Sequence, residues 1–262
     1  MKRILAIFNQ AGGTGKTTVT QNLAYSIKQK GFKVLTIDLD PQGSLTAFAG
    51  LEPLDQEVTI GQMLLSKEAI SAMDIPIVSL DYGVDLIPSN ISDSRCEIEL
   101  AMIPYKEYRL KRVLEPIYDK YDFCLIDCPP ALGNLSWVAL ATATDILIPI
   151  ETQYKATKGT DGLLATIKEA RQGNFGLEVL GFLPFRYDGR RGLDKRSLQI
   201  IKQELSDIAP VFEAVPTSTE MAECAEKHSP LEVRSPGHEA AKVLGSLADL
   251  LITKAGILKA AV

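Results

Sequence analysis

The chain has 262 residues, 46% apolar and 23% charged, with a net charge of −5. At ~150 residues per domain that is one large domain or two small ones, and the balance excludes a disordered chain. The negative charge excludes a general attraction to nucleic acid, so any such binding needs a local basic patch.

Ile4 to Phe8 is a continuous apolar run ending in polar Asn9 and Gln10. It is too short for a signal peptide and predicts a buried strand feeding a Gly-rich turn. Thr17 to Lys30 reads as a helix, with Leu23, Ala24 and Ile27 at helical spacing and Gly31 as a stop. Val34–Ile37, Val84–Ile87, Phe123–Ile126, Ile146–Ile150 and Val179–Leu183 predict further strands. Tyr105–Tyr118, Thr157–Arg171, Lys195–Leu205 and His238–Thr253 predict helices between and after them. Residues 51–83 are the least regular and read as an insertion on one side of the core. Continuous apolar strands separated by helices predict a single α/β domain over 1–262, a twisted, mainly parallel sheet with helices on both faces. No apolar run reaches the ~18 residues of a membrane helix. Cys96, Cys124, Cys128 and Cys224 are sparse and read as thiols of a cytoplasmic protein, and Trp137 is expected in the core.

Between the first strand and the first helix lies Gly12-Gly13-Thr14-Gly15-Lys16-Thr17-Thr18. Glycines let backbone N–H groups turn inward to cradle phosphates, and the helix N-terminus adds partial positive charge. Lys16 is placed to reach the β/γ-phosphates and the Thr17 hydroxyl to ligate Mg²⁺. The alternative is a turn that merely connects strand to helix. The ordinary P-loop pattern has Gly where this chain has Gln10, so the adjacent glycines 12 and 13 point to a variant loop.

Asp38 and Asp40 end the second strand at i and i+2, a spacing that points both the same way. At the carboxyl end of a parallel sheet they face the phosphate site. Asp40 is the candidate to orient an attacking water, and Asp38 to support the loop or the metal's outer shell. The alternative is a strand end whose aspartates satisfy local N–H groups. The run Phe123-Cys124-Leu125-Ile126-Asp127 ends in one carboxylate on a rigid strand, suited to holding Mg²⁺ through water, and Pro129 and Pro130 shape the loop after it.

Taken together, Gly12 to Thr18, Asp38 to Gly43, Pro88-Ser89-Asn90, Asp127 to Pro130 and the segment Ile146 to Leu164 resemble the ParA/MinD family of variant P-loop ATPases over essentially the whole chain. The resemblance implies ATP and Mg²⁺ as ligands, with Pro216 added to the nucleotide-binding set. It implies a homodimer that sandwiches two ATP molecules and slow hydrolysis stimulated by an adaptor protein, ParB-like or McdB-like. It also implies nonspecific binding to nucleoid DNA. The segment Leu251 to Val262, with only Lys254 and Lys259 as charges, lacks the basic face of a membrane-surface helix, so no membrane partner is expected.

One departure stands out. The family's loop begins Lys-Gly-Gly, and that lysine crosses to the partner's phosphates; here the position is Ala11. The McdA branch, which spaces carboxysomes, shares this lack and carries a substitute lysine in its C-terminal half. Lys155 is the first candidate for that role and Lys158 the second, the alternative being two solvated lysines opening a helix. Arg186, Arg190, Arg191, Lys195 and Arg196 form a basic cluster against Asp188 and Asp194. It is suited to phosphates without reading sequence, or is a solvated loop. The expected function is a positioning ATPase spacing carboxysomes, with plasmid or chromosome partition as the alternative. A metabolic ATP-dependent ligase on the same fold is the second alternative.

Overall fold

The structure is a computed structural model that describes residues 1–152 and 160–256. Its strands are β1 (Arg3–Ile7), β2 (Val34–Asp38), β3 (Val78–Ser79), β4 (Asp85–Ile87), β5 (Phe123–Asp127), β6 (Asp145–Glu151), β7 (Glu178–Tyr187) and β8 (Val215–Pro216). They form one sheet in the order β3-β4-β2-β5-β1-β6-β7-β8, parallel except for the antiparallel edge pair β3·β4. The helices are α1 (Lys16–Gln29), α2 (Ser44–Phe48), α3 (Ile60–Leu65), α4 (Cys96–Glu99), α5 (Arg109–Leu114) and α6 (Asn134–Thr142). After these come α7 (Thr160–Gly173), α8 (Gly192–Leu205), α9 (Thr219–Glu226), α10 (Leu231–Arg234) and α11 (Glu239–Lys254).

The period of two along a strand divides the core. Ile4, Ala6 and Phe8 face one layer with Leu64, Val113, Val138 and Ile167 from α3, α5, α6 and α7. Leu5 and Ile7 face the other, with Val19, Leu23 and Ile27 of α1 and Leu244 and Leu247 of α11. Both faces are covered, which is why the central strands read as unbroken apolar runs.

Two expectations change. Residues 51–83 are more regular and better packed than expected: Ile60 and Leu64 of α3 are buried in the main core, and β3 extends the sheet. The helix expected over Tyr105–Tyr118 is α5 flanked by 3₁₀ turns at Lys106–Tyr108 and Glu115–Lys120. Pro116 has no N–H to continue an α-helix, and Tyr105 enters from left-handed backbone at φ 56°. Trp137 is only partly buried against the core, and the four cysteines are buried free thiols. Among the described residues no helix is long and apolar enough to cross a membrane.

The register positions the site. Asp127 at the end of β5 lies opposite Ile7 of β1 on one side and Asp38 of β2 on the other. Three neighbouring carboxyl ends therefore deliver the Gly-rich loop and the acidic residues to one edge, where open α/β sheets bind ligands.

Candidate nucleotide site

Asn9 anchors the loop that leaves β1. Its Nδ2 donates to the Pro149 carbonyl on β6 at 2.7 Å, and its Oδ1 accepts from the Ala11 N–H at 2.9 Å. Gly13 and Gly15 have φ of 77° and 90°, left-handed backbone that disfavours other residues. Gly15 is also sterically required, because a Cβ there would stand 2.3 Å from the Phe185 ring of β7. Gly12 meets nothing within 4 Å. Gln10, where the ordinary pattern has Gly, donates from Nε2 to Thr166 Oγ1 of α7 at 2.7 Å and so ties the loop to that helix.

Helix α1 begins at Lys16 with no side-chain cap, so its first N–H groups are available to an anion. The Lys16 ammonium is buried and donates to the carbonyl oxygens of Asn9 and Ala11, both at 3.1 Å. It thus fills the loop from within. Burial lowers its pKa, and the nearby charge of Asp127 opposes that shift. Thr14 is buried, while Thr17 and Thr18 are half-buried on the first turn of α1.

Asp127 is fully buried, and neither carboxylate oxygen has a well-formed hydrogen bond among the described residues. Burial, then repulsion from Asp38, holds its pKa well above the carboxylate range; the Thr17 side chain and Lys16 act in the opposite direction. A buried carboxyl group with unused lone pairs beside a threonine hydroxyl and a lysine is chemically suited to a hydrated divalent cation. Thr17 and Asp127 therefore fit Mg²⁺.

Asp38 and Asp40 are used differently. Asp38 is buried, and its Oδ2 accepts from the Thr46 N–H and Oγ1, both at 2.8 Å, while its Oδ1 accepts from the Asp40 N–H at 3.3 Å. Burial pushes its pKa up to about 7. Thr46 Oγ1 also accepts from the Ser89 N–H at 3.1 Å, and Ser89 Oγ donates to Asp93 at 3.0 Å. Asp38 thus joins the start of α2 to the Pro88-Ser89-Asn90 segment. Asp40 lies past the strand, half-buried in a turn in which its carbonyl accepts from the Gly43 N–H at 2.9 Å. Its charge is felt by both Lys16 and Asp127.

Pro216 ends the edge strand β8, paired with Tyr187. Lys155 and Lys158 lie outside the described residues. The basic cluster is partly neutralised. Arg186 pairs with Glu151 at 3.5 Å, and Arg190 and Arg191 share Asp188 at 3.1 and 3.5 Å. Lys195 and Arg196, exposed on α8, carry no ion pair among the described residues. Asn9, Thr46 and Phe185 escaped the sequence reading. Asn9 at least adjoins the loop, whereas nothing local marks the other two.

A strand–loop–helix phosphate cradle with a carboxylate on the adjacent parallel strand defines the P-loop nucleoside-triphosphatase fold. Residues 2–179 match the family described as an AAA domain. The chain is 34% identical over 250 residues to the sporulation initiation inhibitor protein Soj of Bacillus subtilis, covering 95% of this chain and 97% of that protein. Among solved structures it superposes on an ATP complex of McdA from Cyanothece with a TM-score of 0.85 at 26% identity, covering 99% of this chain and 98% of the other. It superposes on cobyrinic acid a,c-diamide synthase from Mycobacterium smegmatis, bound to an ATP analog and magnesium, with a TM-score of 0.84 at 32% identity, covering 98% of each chain. The chain belongs to the ParA/MinD family of P-loop ATPases.

Proposed function

We propose that the protein is a positioning ATPase that binds ATP with Mg²⁺ and closes as a homodimer. The dimer holds nonspecific DNA of the nucleoid and lets go when an adaptor protein stimulates hydrolysis. The observation that carries this reading is the buried Lys16 ammonium, at the start of α1, beside the buried Asp127 carboxyl group at the end of β5, the strand paired with β1.

Lys16 exchanges the carbonyls of Asn9 and Ala11 for the β/γ-phosphate oxygens. The N–H groups of Gly12 to Thr18 donate to the same phosphates. Thr17 and, through water, Asp127 would hold Mg²⁺, which when bound would supply positive charge against that developing on the phosphoryl group. Asp40 accepts a hydrogen bond from the attacking water and orients it. With Ala11 in place of the family's lysine, the cation that crosses the dimer is assigned to Lys155, with Lys158 second. Replacing Lys155 by Ala then lowers dimerisation and turnover, and Ala11→Lys in that background restores part of both.

Ala11 and the likeness to McdA support carboxysomes as the cargo; family membership alone supports plasmid or chromosome partition equally. The genes beside this one separate the two. The likeness to cobyrinic acid a,c-diamide synthase keeps an amide-forming ligase as a second reading. Phosphate release with ATP and Mg²⁺, measured with duplex DNA of arbitrary sequence and with a small carboxylic acid plus glutamine, discriminates them. Stimulation by DNA is expected; stimulation by the acid alone moves the protein to the ligase class.

A further inference from the structure

Helix α6 begins soon after Asp127, and its N-cap Gly133 has no side chain to accept from the first turn. A residue far back in the chain does so instead. On α4, Glu97 Oε2 accepts from the Asn134 N–H at 2.6 Å and Oε1 from the Leu135 N–H at 3.1 Å. The Glu97 carbonyl also accepts from Asn134 Nδ2 at 2.5 Å. A carboxylate against a helix N-terminus gains both from charge-assisted hydrogen bonds and from the helix dipole.

Gly133 makes the approach possible. Its φ of −121° is extended backbone open to any residue, so the glycine is not needed for conformation. A Cβ there would stand 2.4 Å from Glu97 Oε2, so it is needed for space. The short segment 128–133, with Pro129 and Pro130, is therefore pinned at both ends. The sheet holds it at Asp127, and Glu97 holds it at Asn134.

We propose that Glu97 is a positioning residue for ATP hydrolysis, clamping the start of α6 so that segment 128–133 and Asp127 keep their place beside the phosphate loop. This rests on the reading of Asp127 as the carboxylate that holds the metal's water. Misplacement by ~1 Å far from the chemistry can cost up to about 10²-fold in rate, so the clamp acts on kcat more than on affinity.

The test is a cycle of variants. Glu97→Ala is expected to lower kcat about tenfold, with ATP affinity within about twofold of wild type, the scale of losing a helix cap. Amide hydrogen exchange at Asn134 and Leu135 rises in the same variant. Gly133→Asp in the Glu97→Ala background supplies an acceptor from the ordinary cap position and brings both readouts back toward wild type. In the wild-type background Gly133→Asp meets the Glu97 carboxylate and is harmful, so one substitution changes sign with its background. Unchanged exchange in Glu97→Ala overturns the clamp. Raised exchange with wild-type kcat overturns its role in turnover, because a purely structural cap lowers thermal stability without slowing the folded enzyme. If the wild-type protein itself releases no phosphate, the ATPase reading falls, and with it the role in turnover. If wild type is active and Glu97→Ala is equally active, the positioning role alone falls.

Discussion

Replacing Asp127 by Asn removes a charge and leaves the shape. The fold holds this carboxyl group buried, with its pKa pushed well above the ordinary range and neither oxygen in a well-formed hydrogen bond among the described residues. Burial and repulsion from Asp38 penalise the charged form, so this carboxyl group carries a cost in either protonation state. Asn needs no proton and avoids that cost. Part of the gain is offset because the amide buries polar atoms of its own and any charge that Asp127 presents to Lys16 is lost. Each kcal/mol of net stabilisation raises Tm by roughly 2–4 °C in a domain of this size. Calorimetry without nucleotide measures it. With ATP and Mg²⁺ the wild type gains more than the variant. Saturating ligand at about 100 Kd adds about 2.7 kcal/mol to wild type, and the variant forfeits the Mg²⁺-dependent share. A variant less stable than wild type without nucleotide, or one that keeps the full Mg²⁺ increment, refutes the assignment of Asp127.

Three further outcomes follow from the geometry. Gly15→Ala forces a Cβ into the Phe185 ring and strains left-handed backbone, so it abolishes ATP binding measured by calorimetry; retained micromolar affinity contradicts the loop geometry. The unfolded chain ionises Asp38 in the ordinary carboxylate range and the folded chain at about 7, so folding takes up a proton between them. Its contribution makes Tm of the nucleotide-free protein fall as pH rises through that window, and Asp38→Asn flattens the slope; an identical slope in the variant assigns the dependence elsewhere. Lys195→Glu with Arg196→Glu weakens DNA binding more than Arg190→Glu with Arg191→Glu, since the latter pair is already held by Asp188. The salt slope falls by about 2 per protomer, and equal effects from both pairs refute the distinction.

The central strands and the loop were legible because both signals are local. Unbroken apolar runs mark strands buried on two faces, and Gly12 to Thr18 carries its geometry in its own residues. The two-residue strands β3 and β8 were not, since only pairing with a neighbour makes them strands. Pro116 was a visible signal that the helix over Tyr105–Tyr118 would break. Asp38 and Asp40 share a spacing but not a role, because Thr46, eight residues on, takes up the first carboxylate. The clamp from Glu97 to Asn134 has no mark in the sequence, because it is made by two segments that meet only in the fold. In the basic cluster a charge count could not anticipate that Asp188 serves two arginines.

The central claim is that this loop and its carboxylates bind ATP and hydrolyse it through a dimer. Asp40→Ala tests it most directly, because the Asp40 side chain takes no part in the hydrogen bonds that hold Asp38 and Lys16; only its backbone N–H donates to Asp38, and the variant keeps that. Sedimentation of the variant with ATP and Mg²⁺, with phosphate release assayed on the same sample, is the measurement. The expected result is a dimer that retains ATP and releases no phosphate. Phosphate release at the wild-type rate, or a monomer without bound nucleotide, contradicts it.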